Sequence, residues 1–231
     1  MKIVVMNFSG NVGKSTVARH LLSPRMNNAK IIPVESINSD GTQDQAIKGK
    51  QYGELLSALS VFADAVIDVG ASNVEDFVAL MKKYDGSHED FDYFIIPTVK
   101  NNKQQNDTIS TIEALKEIGI PAKQIRLVFN MVDDADSVRK VFDRLFTYHA
   151  ESKNFTLRPD AVIHENEIFL KLKNSAESIS DILSDPTDLK ELLKAATEPN
   201  EKMSIAAKIG VKRLASGVTK ELDGVYKTLF Q

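Results

Sequence analysis

The chain has 231 residues, 42% of them hydrophobic, which is enough apolar side chain for a full core. Its 29 Lys and Arg against 32 Asp and Glu give a formal net charge of −3, so any DNA contact must come from a local basic patch. The absence of Cys excludes disulfides, thiolate metal sites and cysteine nucleophiles, and the four His have no ligand-like spacing. No apolar run is long enough for a signal-peptide core or a membrane span, which predicts a cytoplasmic protein with no transmembrane segment.

Short apolar runs rich in β-branched residues alternate with helical patterns over the first two-thirds of the chain. Strands are predicted at residues 3–6, 31–34, 65–69, 93–96, 125–129 and 161–163. Helices are predicted at residues 14–22, 73–83, 108–118 and 135–146. This alternation is typical of βαβ units and predicts an α/β fold with a mostly parallel sheet flanked by helices.

From about residue 168 onward the strand pattern stops, and we expect one domain over 1–231 with residues 185–231 as a helical C-terminal extension. Residues 200–231 carry six Lys or Arg and three Asp or Glu, a local net charge of +3. Such a helix could bind DNA without sequence preference or lie on an anionic membrane. Its apolar stripe could equally pack on the sheet or on a second subunit.

A turn of small residues follows the first predicted strand and opens a helix, with the sequence FSGNVGKST over residues 8–16. This layout is typical of a phosphate-binding loop, in which backbone N–H groups surround phosphate oxygens. Lys14 would reach the β- and γ-phosphates, and the Ser15 hydroxyl would ligate Mg²⁺. Phe8 stands where the standard pattern has its first Gly, and the alternative is a surface turn with an incidental Gly-Lys-Ser. The predicted nucleotide-binding residues of the loop are Gly10, Asn11, Val12, Gly13, Lys14, Ser15 and Thr16.

Two further candidates follow predicted strands. Asp68 lies near the end of the third strand, where it could hold an Mg²⁺-bound water or cap the following turn. Asn130 ends the fifth strand, where its amide could contact an adenine edge or terminate the strand in a turn.

Several segments resemble sequence motifs of the ParA/MinD ATPases, and they follow one another along the chain in the same order as in that family. Residues 10–16 resemble the deviant phosphate loop K-G-G-x-G-K-[ST]-T, and residues 67–70 (IDVG) resemble the strand ending in Asp at switch II. Residues 94–97 (FIIP) and 129–133 (FNMVD) resemble the strand that follows and the strand ending in an adenine-contacting Asn. The resemblance covers residues 1 to about 180, and residues 7–14 are most similar to the StbB-like stability proteins of conjugative plasmids.

The resemblance implies an ATP- and Mg²⁺-dependent switch protein in plasmid partition, plasmid stability or conjugation. It also implies a homodimer and a plasmid-encoded DNA-binding partner protein. Lys14 and Asp68 would serve catalysis, and Glu35 or Asp40 in the switch I region would position the attacking water. The family's D-x-D pattern is absent there, and a simple polar turn is the alternative.

One departure from the family concerns its signature Lys, which crosses the dimer interface to the partner's nucleotide and is replaced here by Ser9. A neutral hydroxyl does not neutralise phosphate charge, so we expect nucleotide binding to survive and the dimer and hydrolysis to be weak. Two other functions stay open. One is an ATP-dependent small-molecule ligase similar to dethiobiotin synthetase, and the other is a nucleotide-binding scaffold that does not hydrolyse.

Overall fold

The computed structural model describes residues 1–34, 45–173, 175 and 177–231. Within them, six parallel strands form one sheet in the order β2-β3-β1-β4-β5-β6. This confirms the predicted α/β class with a mostly parallel sheet. The strands are β1 (Lys2–Val5), β2 (Lys30–Val34), β3 (Ala65–Val69), β4 (Tyr93–Thr98), β5 (Ile125–Val132) and β6 (Val162–His164).

The strand sequences explain their places in the sheet. β3 is buried along its whole length and lies between β1 and β2, as expected for a strand in a parallel sheet whose residues are all apolar except Asp68. β2 contains Pro33, which has no N–H to donate, and it lies at the edge, where it pairs with β3 alone. Because the strands are parallel, the carboxyl ends of β1, β3 and β5 lie along the same edge of the sheet, where ligands collect in open α/β sheets.

The helix after β1 starts as α1 (Lys14–Thr16) and continues as π-helical turns over Val17–Leu22. The remaining helices are α2 (Gln45–Val61), α3 (Val74–Lys83), α4 (Asn102–Ile118), α5 (Val138–Val141), α6 (Asp143–Ser152), α7 (Glu167–Leu172), α8 (Ile179–Ser184), α9 (Leu189–Ala195) and α10 (Pro199–Phe230). None of the helices described is long and apolar enough to cross a membrane.

Helix α2 was not predicted from the sequence, although its signal is present. Tyr52, Leu55, Leu56 and Leu59 have the i, i+3, i+4, i+7 spacing of one helix face. Tyr52 and Leu59 are buried, and the two leucines between them are half-buried. Helix α2 is therefore the crossover that joins the parallel strands β2 and β3.

The chain divides into two compact units. The first contains residues 1–165 and 225–231, and its core includes the edge-to-face contact of Phe91 with Phe94, whose ring centroids are 5.8 Å apart. The second contains residues 166–224 and is helical, with side-chain N-caps that fix the starts of α7, α8 and α9.

Candidate nucleotide-binding site

The loop between β1 and α1 has left-handed backbone at two alternate positions, Asn11 with φ 57° and Gly13 with φ 87°. Asn and Gly tolerate this conformation better than other residues. Left-handed residues among right-handed ones turn successive N–H groups toward one point and form an anion-binding concavity. Phe8 is outside the left-handed region, so the backbone does not require the Gly that the standard pattern has there.

The Lys14 side chain lies inside this loop. Lys14 is 8% exposed, and its Nζ donates hydrogen bonds to the carbonyls of Ser9 (2.8 Å) and Asn7 (3.4 Å). Burial lowers the pKa of Lys14 below its usual value, and the negative charge of Asp68 opposes that shift. A partly dehydrated ammonium attracts an anion more strongly than one in bulk water, so the loop has a positive charge at the place where phosphates would bind.

Ser15 and Asp68 are the two predicted metal ligands. Asp68 pairs in register with Val5, so it lies beside the strand end from which the loop departs, and it is 9% exposed. Ser15 is exposed at the start of the helix. A hydroxyl and a carboxylate suit Mg²⁺, which prefers oxygen ligands and keeps several of them as water or phosphate oxygens. No cluster of three His, Asp or Glu that could hold a metal occurs in the described residues, so substrate oxygens would have to complete the coordination.

Asn130 comes from β5 and meets the phosphate loop. It is 2% exposed, and its Nδ2 donates a 2.9 Å hydrogen bond to the carbonyl of Val12, 118 positions earlier in the chain. The pairing of β5 with β6 shifts register between Asn130 and Val132, and the intervening Met131 is left-handed with φ 54°. The bond uses one of the two amide hydrogens of Asn130. Its contact with an adenine edge stays a prediction.

A buried polar network fixes the start of the loop to α4 and β4, and the sequence analysis missed it. Asn7 Nδ2 donates to the Pro97 carbonyl (2.9 Å) and to Thr108 Oγ1 (2.8 Å), while Asn7 Oδ1 accepts from the Ser9 N–H (2.8 Å). The Phe8 N–H donates to Thr111 Oγ1 at 3.0 Å. One signal was available, since Asn7 is a polar residue directly after an apolar strand.

Solved structures of known proteins have a similar topology, and three of them illustrate the likeness. The apo McdA protein of Cyanothece has 16% identity and a TM-score of 0.51, with 90% of this chain and 98% of that chain covered. The MinD cell division protein of Aquifex aeolicus has 13% identity and a TM-score of 0.52, with 93% and 97% covered. The pnob8 ParA protein has 12% identity and a TM-score of 0.51, with 96% and 97% covered. The chain has the ParA/MinD-type P-loop ATPase fold.

This likeness confirms the ParA/MinD resemblance at the level of the fold. No protein-family model and no curated protein matches the sequence. The finer likeness to StbB-like stability proteins stays a prediction.

Within the ParA/MinD-type fold, position 9 is where this chain departs from the phosphate loop that it otherwise resembles. Ser9 is 6% exposed and contributes through its backbone, because its N–H donates to Asn7 Oδ1 and its carbonyl accepts from Lys14 Nζ. The side chain adds no positive charge. The weak dimer and weak hydrolysis expected from Ser9 remain predictions.

The segment after Asp68 is tied to the end of β2. The Gly70 N–H and Asn73 Nδ2 both donate to the Val34 carbonyl, each at 3.0 Å. A Cβ at position 70 would lie 3.1 Å from Asn73 Nδ2 and 3.3 Å from the Val34 oxygen, so glycine suits this close approach. The predicted water-positioning residues Glu35 and Asp40 follow β2 and lie outside the described residues.

Helix α10 is the second candidate surface. Five of its six cations are exposed, whereas Lys212 is half-buried and donates a 2.6 Å hydrogen bond to the Asp185 carbonyl. The exposed ones are Lys202, Lys208, Arg213, Lys220 and Lys227. Of the predicted apolar stripe, Val218, Leu222, Val225 and Leu229 are buried, and Ile205, Ile209 and Leu214 are half-buried. The stripe therefore packs along its C-terminal part.

Proposed function

We propose that this protein is an ATP-binding switch protein that hydrolyses ATP weakly and acts in plasmid partition, plasmid stability or conjugation. The observation that carries the proposal is the phosphate loop at the end of β1, with Lys14 Nζ held inside it by loop carbonyls. The McdA, MinD and ParA neighbours support the fold on which such switches are built. The place in plasmid biology rests on the sequence resemblance.

In this proposal the loop amides and Lys14 bind the triphosphate. The lysine ammonium stabilises negative charge on the β- and γ-phosphates in the ground state and, more strongly, as charge develops during hydrolysis. Ser15 and Asp68 would hold Mg²⁺, which neutralises phosphate charge when it is bound. Asn130 would favour adenine over guanine nucleotides.

The partners in this proposal are a second copy of the chain, a plasmid-encoded DNA-binding protein and DNA. Nucleotide would order the switch segment around Gly70, which the Gly70 and Asn73 hydrogen bonds tie to the Val34 carbonyl at the end of β2, and so change the surface presented to a partner. The five exposed cations of α10 would bind DNA phosphates without sequence preference.

The catalytic carboxylate would come from Glu35 or Asp40, by resemblance to switch I of the family. A carboxylate there could orient the attacking water or accept its proton. Glu35→Gln and Asp40→Asn should therefore each be assayed for turnover at saturating ATP. The residue that positions the water is the one whose change lowers kcat while leaving ATP affinity within about twofold.

Phosphate release from ATP, measured with and without DNA, tests the proposed function. Slow turnover that DNA accelerates supports the switch. Tight ATP binding with no turnover under either condition favours the non-hydrolysing scaffold, for which the neutral Ser9 is the supporting observation. Phosphate release that appears only with a small carboxylic acid favours the ligase. GTP that displaces labelled ATP as well as ATP itself does would contradict the adenine preference assigned to Asn130.

A further inference from the structure

Asn130 and the phosphate loop make a mutual contact that base recognition does not require. The Asn130 Nδ2 donates to the carbonyl of Val12 at 2.9 Å. A Cβ built on Gly13 would lie only 2.0 Å from that same Nδ2, far closer than two such atoms can approach. The asparagine amide therefore occupies the space beside Gly13 and bonds the peptide group immediately before it.

The backbone of β5 is distorted at the same place. A register shift between Asn130 and Val132 forms a bulge, and Met131 adopts φ 54°, which is unfavourable for a residue with a side chain. Bulges near functional sites change the direction in which a side chain points. A strained backbone such as that of Met131 persists only where the surrounding structure holds it in place. The bulge separates Asn130, which is 2% exposed, from Met131, which is 41% exposed.

We propose that Asn130 is a positioning residue of the phosphate loop, which holds Val12 and Gly13 in the anion-binding conformation before any nucleotide arrives. The inference rests on the proposed nucleotide binding and assigns Asn130 a contribution that does not depend on the base. The Val12–Gly13 peptide is fixed from outside the loop by one hydrogen bond across 118 positions of the chain. Its neighbouring N–H groups are then aimed at the triphosphate without an ordering cost at binding.

The consequence is a specific pattern of affinities. A side chain that contacts only the base changes ATP affinity and leaves a ligand without a base untouched. A side chain that pre-orders the loop changes the affinity for every ligand with a triphosphate by the same factor. Inorganic tripolyphosphate, which has the phosphates and no base, separates the two roles.

The experiment measures the affinity of wild type and Asn130→Ala for ATP, GTP and tripolyphosphate by calorimetry, each with Mg²⁺. We expect Asn130→Ala to weaken tripolyphosphate and GTP by about threefold to tenfold, which is the range for one neutral hydrogen bond, and to weaken ATP by at least that factor because ATP would also lose the adenine contact. Asn130→Asp keeps the shape but puts an acceptor against the Val12 carbonyl and a negative charge near the phosphates. It should weaken all three by more than about tenfold.

Asn154→Ala is the matched control. Asn154 is also a buried asparagine, 8% exposed, and its Nδ2 donates to Tyr148 Oη at 2.6 Å, within the segment that follows β5. We expect it to leave all three affinities within about twofold, since it removes a buried amide without touching the loop. Circular dichroism and thermal unfolding of each variant check that it is folded.

Hydrogen–deuterium exchange of the ligand-free protein gives a second measurement that needs no ligand. Asn130→Ala should speed exchange in the peptide covering residues 8–16, whereas Asn154→Ala should not. This readout keeps the inference testable with any variant that folds, because it reports loop order directly.

Each outcome separates the inference from the proposed function. Wild type that binds neither ATP nor tripolyphosphate contradicts the proposed nucleotide binding, and the inference falls with it. Wild type that binds both, with Asn130→Ala weakening ATP alone and leaving loop exchange unchanged, overturns only the inference. Weakening of tripolyphosphate as well as of ATP and GTP, with faster loop exchange, supports it.

Discussion

The phosphate-loop edge of the sheet and the helices of residues 166–224 are held by different kinds of hydrogen bond. At the sheet edge, buried side chains bond partners far away in the sequence, as Asn7 does to Thr108 and Asn130 to Val12. In the helices the side-chain hydrogen bonds are mostly local and include helix caps, such as Ser178 with Asp181 at the start of α8. Caps determine where a helix begins. Long-range hydrogen bonds instead require a particular side chain at a particular position, because its partner comes from a distant part of the chain.

The difference predicts where a substitution will matter. A change at the loop removes a buried group whose partner is then left without a bond, so it affects both stability and ligand affinity. A change to an exposed cation of α10 alters surface charge and leaves the fold as it was.

Gly13→Ala should have the largest effect on stability. The substitution combines a left-handed φ of 87° with a Cβ placed 2.0 Å from Asn130 Nδ2. We expect a loss of about 2–4 kcal/mol of unfolding free energy, measured by urea denaturation.

Gly10→Ala is the control in the same loop, because no atom lies within 4 Å of its added Cβ. It should change the free energy of unfolding by less than about 0.5 kcal/mol. Equal losses for the two variants would show that the Asn130 contact does not restrict Gly13.

Ser9→Lys should strengthen ATP-dependent dimerisation. It would restore a cation where the resembling family has one, and a charge-assisted contact is worth about 1.5–3 kcal/mol, roughly tenfold to a hundredfold in the dimer constant. Sedimentation with and without ATP and Mg²⁺ measures the change. A tight ATP-dependent dimer of the wild type that Ser9→Ala leaves unaltered would contradict the consequence assigned to Ser9.

Removing three exposed cations from α10 should weaken DNA binding and leave ATP affinity unchanged. The variant combines Lys202→Gln, Lys208→Gln and Arg213→Gln. Each cation that neutralises a phosphate adds about 0.9 to the slope of log affinity against log salt, so the slope should fall by up to about 3. An unchanged slope in fluorescence anisotropy would mean that this face of α10 does not contact DNA.

Tyr52→Phe should have a smaller effect on stability than Gly13→Ala, with a defined pH dependence. Burial raises the pKa of Tyr52 to about 12, and its hydroxyl is 3.1 Å from Ser87 Oγ. The native state therefore keeps this proton between pH 10 and 12, where the unfolded chain loses it. The contribution of Tyr52 to stability is present below pH 10 and is lost as the pH rises toward 12.

At neutral pH, Tyr52→Phe should cost about 0.5–1.5 kcal/mol, the value of one hydrogen bond. Its stability should also fall less steeply above pH 10 than that of the wild type. Identical alkaline profiles in urea titrations would contradict this assignment.

The sheet was predictable because each strand is a short apolar run, most of them rich in β-branched residues, and such runs favour strands. The predicted positions of all six strands, including the one with Pro33, agree with the structure within a few residues, and their alternation with helices predicted that the sheet is mostly parallel. The loop was predictable because only small residues suit its backbone, with Gly13 at φ 87° as the clearest case.

The remaining features depend on contacts that no local pattern encodes. Helix α4 begins at Asn102, six residues before the predicted start, because the Asn101 side chain caps the Lys103 N–H, whereas the polar residues of the first turns have no apolar periodicity that would indicate a helix. The threonines at 108 and 111 face the loop through bonds to Asn7 and Phe8, which only the assembled sheet brings near. The contact of Asn130 with Val12 likewise joins positions 118 apart.

Calorimetric titration of ATP and Mg²⁺ into wild type and Lys14→Ala measures directly whether the loop between β1 and α1 binds nucleotide through Lys14. Lys82→Ala is the control, since Lys82 is exposed and pairs with Glu117 on the surface. We predict binding by the wild type and the control, and a loss of roughly tenfold to a hundredfold in affinity in Lys14→Ala, because the proposed contact of its ammonium with the β- and γ-phosphates would be removed. Equal ATP affinity in wild type and Lys14→Ala, with the variant folded by circular dichroism, would contradict the assignment of this loop as a nucleotide-binding site.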